Sequence, residues 1–336
     1  MEIRYLILLL TDWCNLNCAY CYRGIPPDAK DMSIDLLETS LMQLVPLKTP
    51  CHVQLSGGEP TIVPDLIEKA SKTLQKKRPH ATLGIQTNGT MLDRSLARLF
   101  AKYRIQVGVS LDGPLNIQER LRGNASSTVK GLKLLEAENV PFRVTTVISN
   151  TTIDFLDKLV LMLGGFSNAQ GIGLDLLIHK GNATSSERVL PATLKQTTEG
   201  IKRMIDALRL VNRDRRMKLE FREEKTIINA FKGKRPTYFC YAGASESLAV
   251  CPDGSLYPCS QTADDPRFFM GTLNKPHVAP TTLINEFRLS LEDCGDCPLT
   301  GRCPGDCYSR QYYNDSKSRR LICAIYQTII NIRKVK

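Results

Sequence analysis

The chain of 336 residues is predicted to have an α/β fold, with a parallel sheet and crossover helices followed by a smaller cysteine-rich region. Three observations support this prediction. Short aliphatic or β-branched runs alternate with amphipathic helical segments through the first two-thirds of the chain. Helical periodicity then disappears after about residue 235, where cysteine, proline and glycine become dense. The twelve cysteines also form separate groups instead of being evenly spread.

Six strand–helix units are predicted in the first part of the chain. Ser33 and Asp65 are the expected N-caps of two of the helices, since each opens a periodic segment. Strand–helix units in series favour parallel strands with helical crossovers, which both a doubly wound sheet and an open barrel satisfy. The strands are predicted at residues 4–10, 52–56, 82–87, 106–111, 142–147 and 173–177, and the helices at residues 33–45, 65–77, 93–103, 128–139, 153–163 and 194–211.

The cysteine-rich region is predicted to contain a β-hairpin and a C-terminal helix. Residues 248–259 read LAVCPDGSLYPC, in which Pro-Asp-Gly supplies turn chemistry between two short strands. Helical periodicity returns only at residues 318–332. Because so few apolar residues could not build a core unaided, this region is expected to need bound metal for its fold.

Composition and charge restrict the class of protein. The longest apolar run near the start, residues 5–10, is too short to span a bilayer and lacks the features of a signal peptide. The protein is therefore expected to be cytoplasmic, without a membrane partner, and cysteines in that reducing compartment more often bind metal than form disulfides.

The net charge of +11 raises the question of a nucleic-acid partner. The basic residues are spread along the chain and rarely alternate with aromatic residues, so no nucleic-acid partner is predicted. The densest basic run, residues 209–225, is interpreted as a solvated helix face, with an acidic peptide or protein partner as the alternative.

Residues 14–21 read CNLNCAYC and place Cys14, Cys18 and Cys21 in the loop after the first predicted strand. Three thiols this close could form a disulfide knot, a zinc site, or an iron–sulfur cluster with one iron free of protein ligands. A structural zinc site normally has four ligands, and the next candidates are Cys51 and His52, about thirty residues on. Three thiolates on a four-iron cluster would leave one iron open to another molecule.

The C-x3-C-x2-C motif, with Tyr20 before its last cysteine, resembles the signature of the radical S-adenosylmethionine (SAM) superfamily. This resemblance implies that Cys14, Cys18 and Cys21 form the catalytic centre by holding a [4Fe–4S] cluster whose open iron binds SAM. Reductive cleavage of SAM then gives a 5′-deoxyadenosyl radical that abstracts hydrogen from a substrate. It also implies a partial (β/α)6 TIM-like barrel in residues 1–212 and a reducing partner such as flavodoxin or ferredoxin.

Further residues lie where this resemblance requires contacts with SAM. The sequence SGGEP follows the second predicted strand, and family members use this motif for the SAM amino group. Its paired glycines expose backbone, and the carboxylate beside them can accept a charge-assisted hydrogen bond from an ammonium group. The sequences QTNGT and SLDGP end the third and fourth strands, and a nearby guanidinium can bind a carboxylate bidentately. The implied SAM contacts are Tyr20, Gly57, Gly58, Glu59, Pro60, Asn88, Ser110, Asp112 and Arg122.

The later cysteines resemble the SPASM extension carried by a subset of radical SAM enzymes. The resemblance implies a linker or helix at residues 213–236 and a SPASM domain at residues 237–336 that holds two auxiliary [4Fe–4S] clusters. Cys251 is a candidate fourth ligand of the first cluster, the alternatives being substrate, water or another side chain. Two zinc sites are the competing interpretation of this region taken alone. The implied ligands are Cys240, Cys259 and Cys307 for the first cluster and Cys294, Cys297, Cys303 and Cys323 for the second.

The resemblance implies a peptide or protein maturase that uses three [4Fe–4S] clusters and SAM to install a cross-link, thioether or related oxidation. The alternatives are an enzyme acting on a small molecule such as a tetrapyrrole, and a non-catalytic iron–sulfur electron carrier. Sulfatase maturases usually have glutamine and aspartate where this chain has Ser56 and Ser260, which argues against formylglycine formation. The chain starts directly on a barrel strand, so a substrate leader, acidic if it matches the positive charge, is expected to bind elsewhere.

Overall fold

The computed structural model describes residues 2–186, 188–233, 238–276, 294–314 and 316–333. Within them the main sheet has nine strands in the order β7-β6-β5-β4-β3-β2-β1-β8-β9, and β10 and β11 form a separate pair. The strands are β1 Tyr5–Leu9, β2 His52–Ser56, β3 Thr82–Thr87, β4 Gln106–Ser110, β5 Phe142–Ile148, β6 Ala169–Leu176, β7 Glu220–Phe221, β8 Ser247–Val250, β9 Leu256–Tyr257, β10 Gly271–Thr272 and β11 Lys275–Pro276.

The order of the strands decides between the two architectures that the sequence left open. Strands β1 to β7 follow one another in space as they do in the chain, and all of these neighbours are parallel. A doubly wound sheet reverses its strand order at a switch point, whereas a barrel does not. The α/β, partial barrel prediction is therefore confirmed.

The predicted hairpin is present and extends the barrel sheet. Strands β8 and β9 pair antiparallel, and β8 also pairs parallel with β1, with Tyr5 opposite Ser247. The sheet therefore includes strands from both sides of the predicted linker at residues 213–236. The domain boundaries themselves stay predictions.

Eleven helices surround this sheet in the described residues. Ser33 caps the first as predicted, since its hydroxyl accepts from the Leu36 backbone N–H at 3.1 Å. The predicted cap Asp65 is wrong, because the second helix starts at Pro64, whose fixed φ suits the first helical position. The helices are α1 Ile34–Leu44, α2 Pro64–Lys77, α3 Arg94–Tyr103, α4 Leu115–Leu121, α5 Ala125–Ala137, α6 Leu156–Gly164, α7 Asn182–Ser185, α8 Leu194–Asn212, α9 Arg222–Phe231, α10 Tyr308–Tyr313 and α11 Ser316–Arg333.

The two faces of the sheet differ in polarity. In β2, Val53 and Leu55 are fully buried, while Gln54 and Ser56 are only half-buried and line the interior of the barrel. Because successive side chains of a strand point to opposite faces, the apolar set packs under the helices and the polar set faces inward. Cys51 is 3% exposed within the apolar core, as expected of a buried thiol.

The basic run at residues 209–225 is not a uniformly solvated face, so that interpretation is wrong in part. The guanidinium of Arg215 donates to the carbonyls of Gly164, Phe166 and Ala169 at 2.9, 3.0 and 3.0 Å. These bonds fix the segment that connects α6 to β6. Arg222 faces the barrel interior, where it lines two cavities. Nowhere in the described chain does a helix have the length and apolar character that a membrane crossing would require.

Candidate functional site

A cavity of about 400 Å³, called here the first cavity, opens at the carboxyl ends of the barrel strands. This is the face on which parallel α/β barrels build their sites. Of the implied cluster and SAM residues of the barrel, all line it except Pro60 and Asp112. Those that do are Cys14, Cys18, Tyr20, Cys21, Gly57, Gly58, Glu59, Asn88, Ser110 and Arg122.

The three cysteines of the first cavity lie on a loop held by backbone hydrogen bonds. Two of these bonds come from the glycine-rich loop after β2, where Gly58 N–H donates to the Thr11 carbonyl at 2.7 Å and Glu59 N–H to the Trp13 carbonyl at 2.8 Å. At the other end, Asn182 N–H donates to the Cys21 carbonyl at 2.8 Å. These three bonds hold the loop through its backbone. Burial raises the pKa of the Cys18 thiol to about 11.

Glycine is required at residues 57 and 58 because the cysteine loop lies directly against them. A Cβ at Gly57 would overlap the Thr11 carbonyl oxygen, and φ at this residue is +136°. A Cβ at Gly58 would overlap the Trp13 carbonyl oxygen and approach the Asp12 carbonyl oxygen to 2.8 Å. The neighbours are backbone atoms, which cannot rotate away as a side chain can.

The Glu59 carboxylate joins the ends of β2 and β3. Its Oε1 accepts from Thr61 N–H, Thr61 Oγ1 and Thr87 Oγ1 at 3.0, 2.6 and 2.7 Å, and its Oε2 accepts from Asn88 N–H at 2.6 Å. Burial raises the pKa of Glu59, and these donors act in the opposite direction. Oε1 therefore accepts three of these hydrogen bonds and Oε2 only one, which leaves acceptor capacity on Oε2.

Tyr20, Asp112 and Arg122 form a buried triad beside the cysteine loop. The Tyr20 hydroxyl donates to the Asp112 carboxylate, and Arg122 Nη1 donates to the Tyr20 hydroxyl at 2.8 Å. Asp112 is fully buried behind this pair and also accepts from Val147 N–H at 3.0 Å, so it supports the cavity without lining it. Arg122 Nε is buried and has no partner among the described residues, leaving a donor available beside the cavity.

Replacing Tyr20 by phenylalanine tests this triad. The change removes the hydroxyl that links Asp112 to Arg122, and a buried polar group left without its partner costs about 1–3 kcal/mol. We expect weaker SAM binding with iron content close to that of the unmodified protein, measured by equilibrium dialysis and iron analysis. Tyr103→Phe, on α3 and away from the cavity, is the matched control. Unchanged SAM affinity in Tyr20→Phe would contradict a positioning role for the hydroxyl.

A second cavity, of about 650 Å³, is lined by Cys240, Cys259 and Cys307. Burial raises the pKa of Cys307 to about 12, with further contributions from Cys240 and Cys259, so the three thiols are electrostatic neighbours. Cys307 Sγ lies 3.3 Å from Gln261 Oε1 and 3.1 Å from Ser309 Oγ. The structure therefore brings together the three cysteines implied for the first auxiliary cluster.

The four cysteines implied for the second auxiliary cluster also lie together. Burial is the main cause that raises the pKa of Cys323 to about 11. The neighbouring thiols of Cys303, Cys294 and Cys297 raise it further. Cys297, Cys303 and Cys323 pack half-buried against the main core. The helix α11 brings Cys323 to thiols that precede it by twenty residues or more.

Cys251, the candidate fourth ligand, lies in an apolar cluster against which Cys259 also packs. It follows β8 at 4% exposure and packs in an apolar cluster with Ile7, Ala249 and Tyr257. Burial raises its pKa to about 12, and the charged groups Arg23, Asp264, Asp253 and Asp12 also act on it. It does not line the second cavity.

No three His, Cys, Asp or Glu side chains of the described residues converge on a point that would hold one metal ion. A zinc site draws its four ligands to a single ion at about 2.3 Å for sulfur. The thiolates of a four-iron cluster instead bind separate irons and lie further apart.

Among the residues that line both cavities, the sequence missed Tyr5, Asp175 and Arg222. Arg222 Nη2 donates to Asp175 Oδ1 at 3.0 Å, and its Nε donates to Glu223 Oε1 at 2.8 Å. In the sequence, only the alternation of inward-facing and outward-facing residues along β1 and β6 could have indicated Tyr5 and Asp175.

Two serines that distinguish the chain from sulfatase maturases also line the first cavity. These are Ser56 and Ser260, and the Tyr22 hydroxyl lies 3.4 Å from Ser260 Oγ. The two cavities share the Asp175–Arg222 ion pair and Ser260, so they lie next to each other.

Comparison with known sequences gives two kinds of relative. The family model of the radical SAM superfamily matches residues 8–162. An uncharacterized protein of Methanocaldococcus jannaschii is 31% identical over 265 residues, which cover 76% of this chain and 85% of that protein. A cysteine-type anaerobic sulfatase-maturating enzyme of Clostridium novyi is 27% identical over 163 residues, which cover 44% of this chain and 44% of that enzyme.

Comparison with solved structures supports the same fold. Native anSMEcpe with bound AdoMet and Cp18Cys peptide superposes with a TM-score of 0.78. The match covers 100% of this chain and 98% of that one at 20% sequence identity. At this level of identity the likeness establishes the fold of the whole described chain.

Proposed function

The chain belongs to the radical SAM superfamily, and on that premise we propose that it modifies a peptide or protein by hydrogen abstraction. It is an enzyme of radical chemistry, for which the family requires a [4Fe–4S] cluster and SAM. When bound, this pair supplies a 5′-deoxyadenosyl radical that removes a hydrogen atom from the substrate. The observation that carries the proposal is the collection of ten implied cluster and SAM residues around the first cavity.

The residues present fit the cluster and SAM. Three thiols on one fixed loop are the donors that an iron–sulfur cluster requires, and no fourth cysteine lies beside them. Gly57 and Gly58 form a close-fitting backbone surface, and Arg122 offers an unpartnered buried N–H for a carboxylate. We assign Cys14, Cys18 and Cys21 as cluster ligands on these grounds.

The remaining polar residues of the first cavity would orient SAM. Asn88 is held by its own network, in which its Nδ2 donates to Asn15 Oδ1 at 2.9 Å and its Oδ1 accepts from Thr90 N–H at 2.9 Å. Ser110 Oγ accepts from Gln86 Nε2 at 2.9 Å. Groups fixed in this way lose little freedom when a ligand binds, so they favour one orientation of it.

The two later cysteine groups are proposed to hold auxiliary [4Fe–4S] clusters, which gives three clusters per chain. The grouping of Cys240 with Cys259 and Cys307, and of Cys323 with the three thiols of residues 294–303, supports this assignment. A thiolate site in the cytosol would stay reduced and available for metal. Flavodoxin or ferredoxin is proposed as the reductant.

A peptide substrate is supported by the two adjacent cavities, because an extended chain is long enough to lie along both. The solved structure of the same fold, anSMEcpe, carries the Cp18Cys peptide, and a cysteine-type sulfatase-maturating enzyme is among the relatives. A small molecule such as a tetrapyrrole is the second candidate. An electron carrier would have no use for the arginine and glycine surface of the first cavity.

The test starts with protein purified without oxygen, reduced and incubated with SAM. We expect 5′-deoxyadenosine and about twelve irons per chain, as three clusters require. Four irons with two zincs would overturn the auxiliary clusters, and no 5′-deoxyadenosine would favour the carrier. Peptides encoded beside the gene are then added and their masses measured. A loss of hydrogen from a peptide supports the maturase.

A further inference from the structure

We propose that the guanidinium of Arg310 is the charge partner of the iron–sulfur cluster in the second cavity and raises the reduction potential of that cluster. This inference rests on the proposed function, because it assumes that Cys240, Cys259 and Cys307 hold a cluster. It goes further by giving a role to a residue that belongs neither to the cysteine pattern nor to the SAM site. The role is the same whatever group completes the ligands of the cluster.

Arg310 lies beside Cys307 in the wall of the second cavity. It follows Cys307 by three residues, on α10, and lines the same cavity as the three thiols. Burial raises the pKa of the Cys307 thiol, and a hydrogen bond from the backbone N–H of Arg310 acts in the opposite direction. Arg310 therefore belongs to the immediate surroundings of a proposed cluster ligand, where neighbouring groups tune a metal centre.

The guanidinium of Arg310 is deeply buried and incompletely paired. Its side chain is 7% exposed and forms an ion pair with Asp306, whose side chain is 1% exposed. The Nε atom of Arg310 is buried and has no hydrogen-bond partner among the described residues. A buried cation is costly unless its charge and its donors are matched, so this side chain favours further negative charge beside it.

The other cation of the second cavity is already engaged by carboxylates. Among the described residues, Arg222 and Arg310 are the cations that line this cavity, and Asp175 and Glu223 are its carboxylates. Arg222 donates to both of them, at 3.0 Å to Asp175 Oδ1 and at 2.8 Å to Glu223 Oε1. Arg310 is therefore the cation that is left to face the negative charge of the thiolates and their cluster.

The charge of Arg310 determines the direction of its effect. A four-iron cluster with thiolate ligands is negatively charged, and its reduction adds one more negative charge. A fixed cation beside it stabilises the reduced form more than the oxidised form and so raises the reduction potential. Asp306 is also a neighbour of Cys307, since its Oδ1 accepts from the Cys307 N–H at 2.6 Å. Its negative charge acts in the opposite direction to that of Arg310.

The test uses the full chain with the three cysteines of residues 14–21 replaced by alanine, so that only the auxiliary clusters are present. In this background Arg310→Gln removes the positive charge, Arg310→Lys keeps it, and Asp306→Asn removes the negative charge. Arg203→Gln on α8 is the matched control, because Arg203 pairs with Asp154 at 3.1 Å on the exposed surface. Iron is counted, and electron paramagnetic resonance follows the reduction of each cluster during a titration with dithionite at neutral pH.

We expect Arg310→Gln to lower the potential of one auxiliary cluster. The ratio of reduced to oxidised cluster at a given potential should fall about tenfold, which is about 59 mV for one electron. Asp306→Asn should raise the same potential, whereas Arg310→Lys and Arg203→Gln should leave it close to that of the background. Unchanged potentials in Arg310→Gln, or equal shifts of both clusters, would overturn the inference. Lowering by Arg310→Lys as large as that by Arg310→Gln would also overturn it, because the charge would then not be the cause.

Iron content separates this inference from the proposed function. The background should contain about eight irons per chain, and a background without iron would overturn the proposed auxiliary clusters, on which the role of Arg310 depends. Arg310→Gln leaves the buried Asp306 carboxylate unpaired and so can lose its cluster. In that case Asp306→Asn decides: a raised potential supports the inference, and an unchanged or lowered potential overturns it.

Discussion

Alanine in place of Cys14, Cys18 and Cys21 is expected to abolish SAM cleavage while leaving the two auxiliary clusters bound. These thiols are the three that line the first cavity, and the loop carrying them is held by backbone bonds from Gly58, Glu59 and Asn182. The loop should therefore keep its place when the thiols are lost. Iron should fall from about twelve to about eight atoms per chain, and 5′-deoxyadenosine formation should fall to background.

Two further variants separate this role from a general effect of losing cysteine. Cys51→Ala removes a thiol from the apolar core and should keep both iron and SAM cleavage. Cys294→Ala with Cys297→Ala should instead lose about four irons and lower the thermal stability, because these thiols sit where the cysteine-rich segment meets the main core. Residual 5′-deoxyadenosine in the triple variant, or the same loss in all variants, would contradict the separation of roles.

The fold was predictable where each strand is a continuous apolar run. Strands β1 to β5 lie within a residue or two of their predicted positions, and β6 begins four residues earlier than predicted, at Ala169. Helices α4, α7 and α10 were missed, because they have only seven, four and six residues, too few to display a period. Helix α9 lies within the segment predicted as a linker or helix, and it begins inside the basic run. Its inward-facing Arg222 gives no sign in the sequence of being other than a surface charge.

The sequence predicted those parts of the candidate site whose residues are close together in the chain. It missed those that only the fold brings together. The cysteines of residues 14–21 form a local pattern, and the resemblance identified the glycines beside them. Asp175 and Arg222 come together only because β6 and α9 meet at the barrel mouth. The role of Cys251 stays a prediction. The turn in which Gly254 N–H bonds to the Cys251 carbonyl places it in an apolar cluster against which Cys259 also packs.

Glu59 shows that a recognised motif does not settle how each of its residues acts. The resemblance implies that this residue contacts SAM, and in the structure its oxygens also accept four hydrogen bonds from protein donors. We propose that the glycines of the motif act through their backbone. The glycines must be where they are because the cysteine loop rests on them.

Alanine at Gly58 is accordingly expected to lower SAM affinity at least about tenfold, or ~1.4 kcal/mol. The added methyl group would overlap the Trp13 carbonyl oxygen and crowd the Asp12 carbonyl, so the loop that carries Cys14 must shift. The clash is with backbone, and the bond from Glu59 N–H to the Trp13 carbonyl would be stretched with it.

Gly165→Ala is the matched control, because φ at Gly165 is −76° and an added Cβ would lie 3.3 Å from the Met162 carbonyl oxygen. Equilibrium dialysis with SAM and the temperature of unfolding should be measured for both variants. A pure loss of stability would lower the unfolding temperature of Gly58→Ala without changing the affinity of its folded fraction. If the glycine backbone supports the SAM site directly, Gly58→Ala should bind SAM more weakly while it keeps its auxiliary iron.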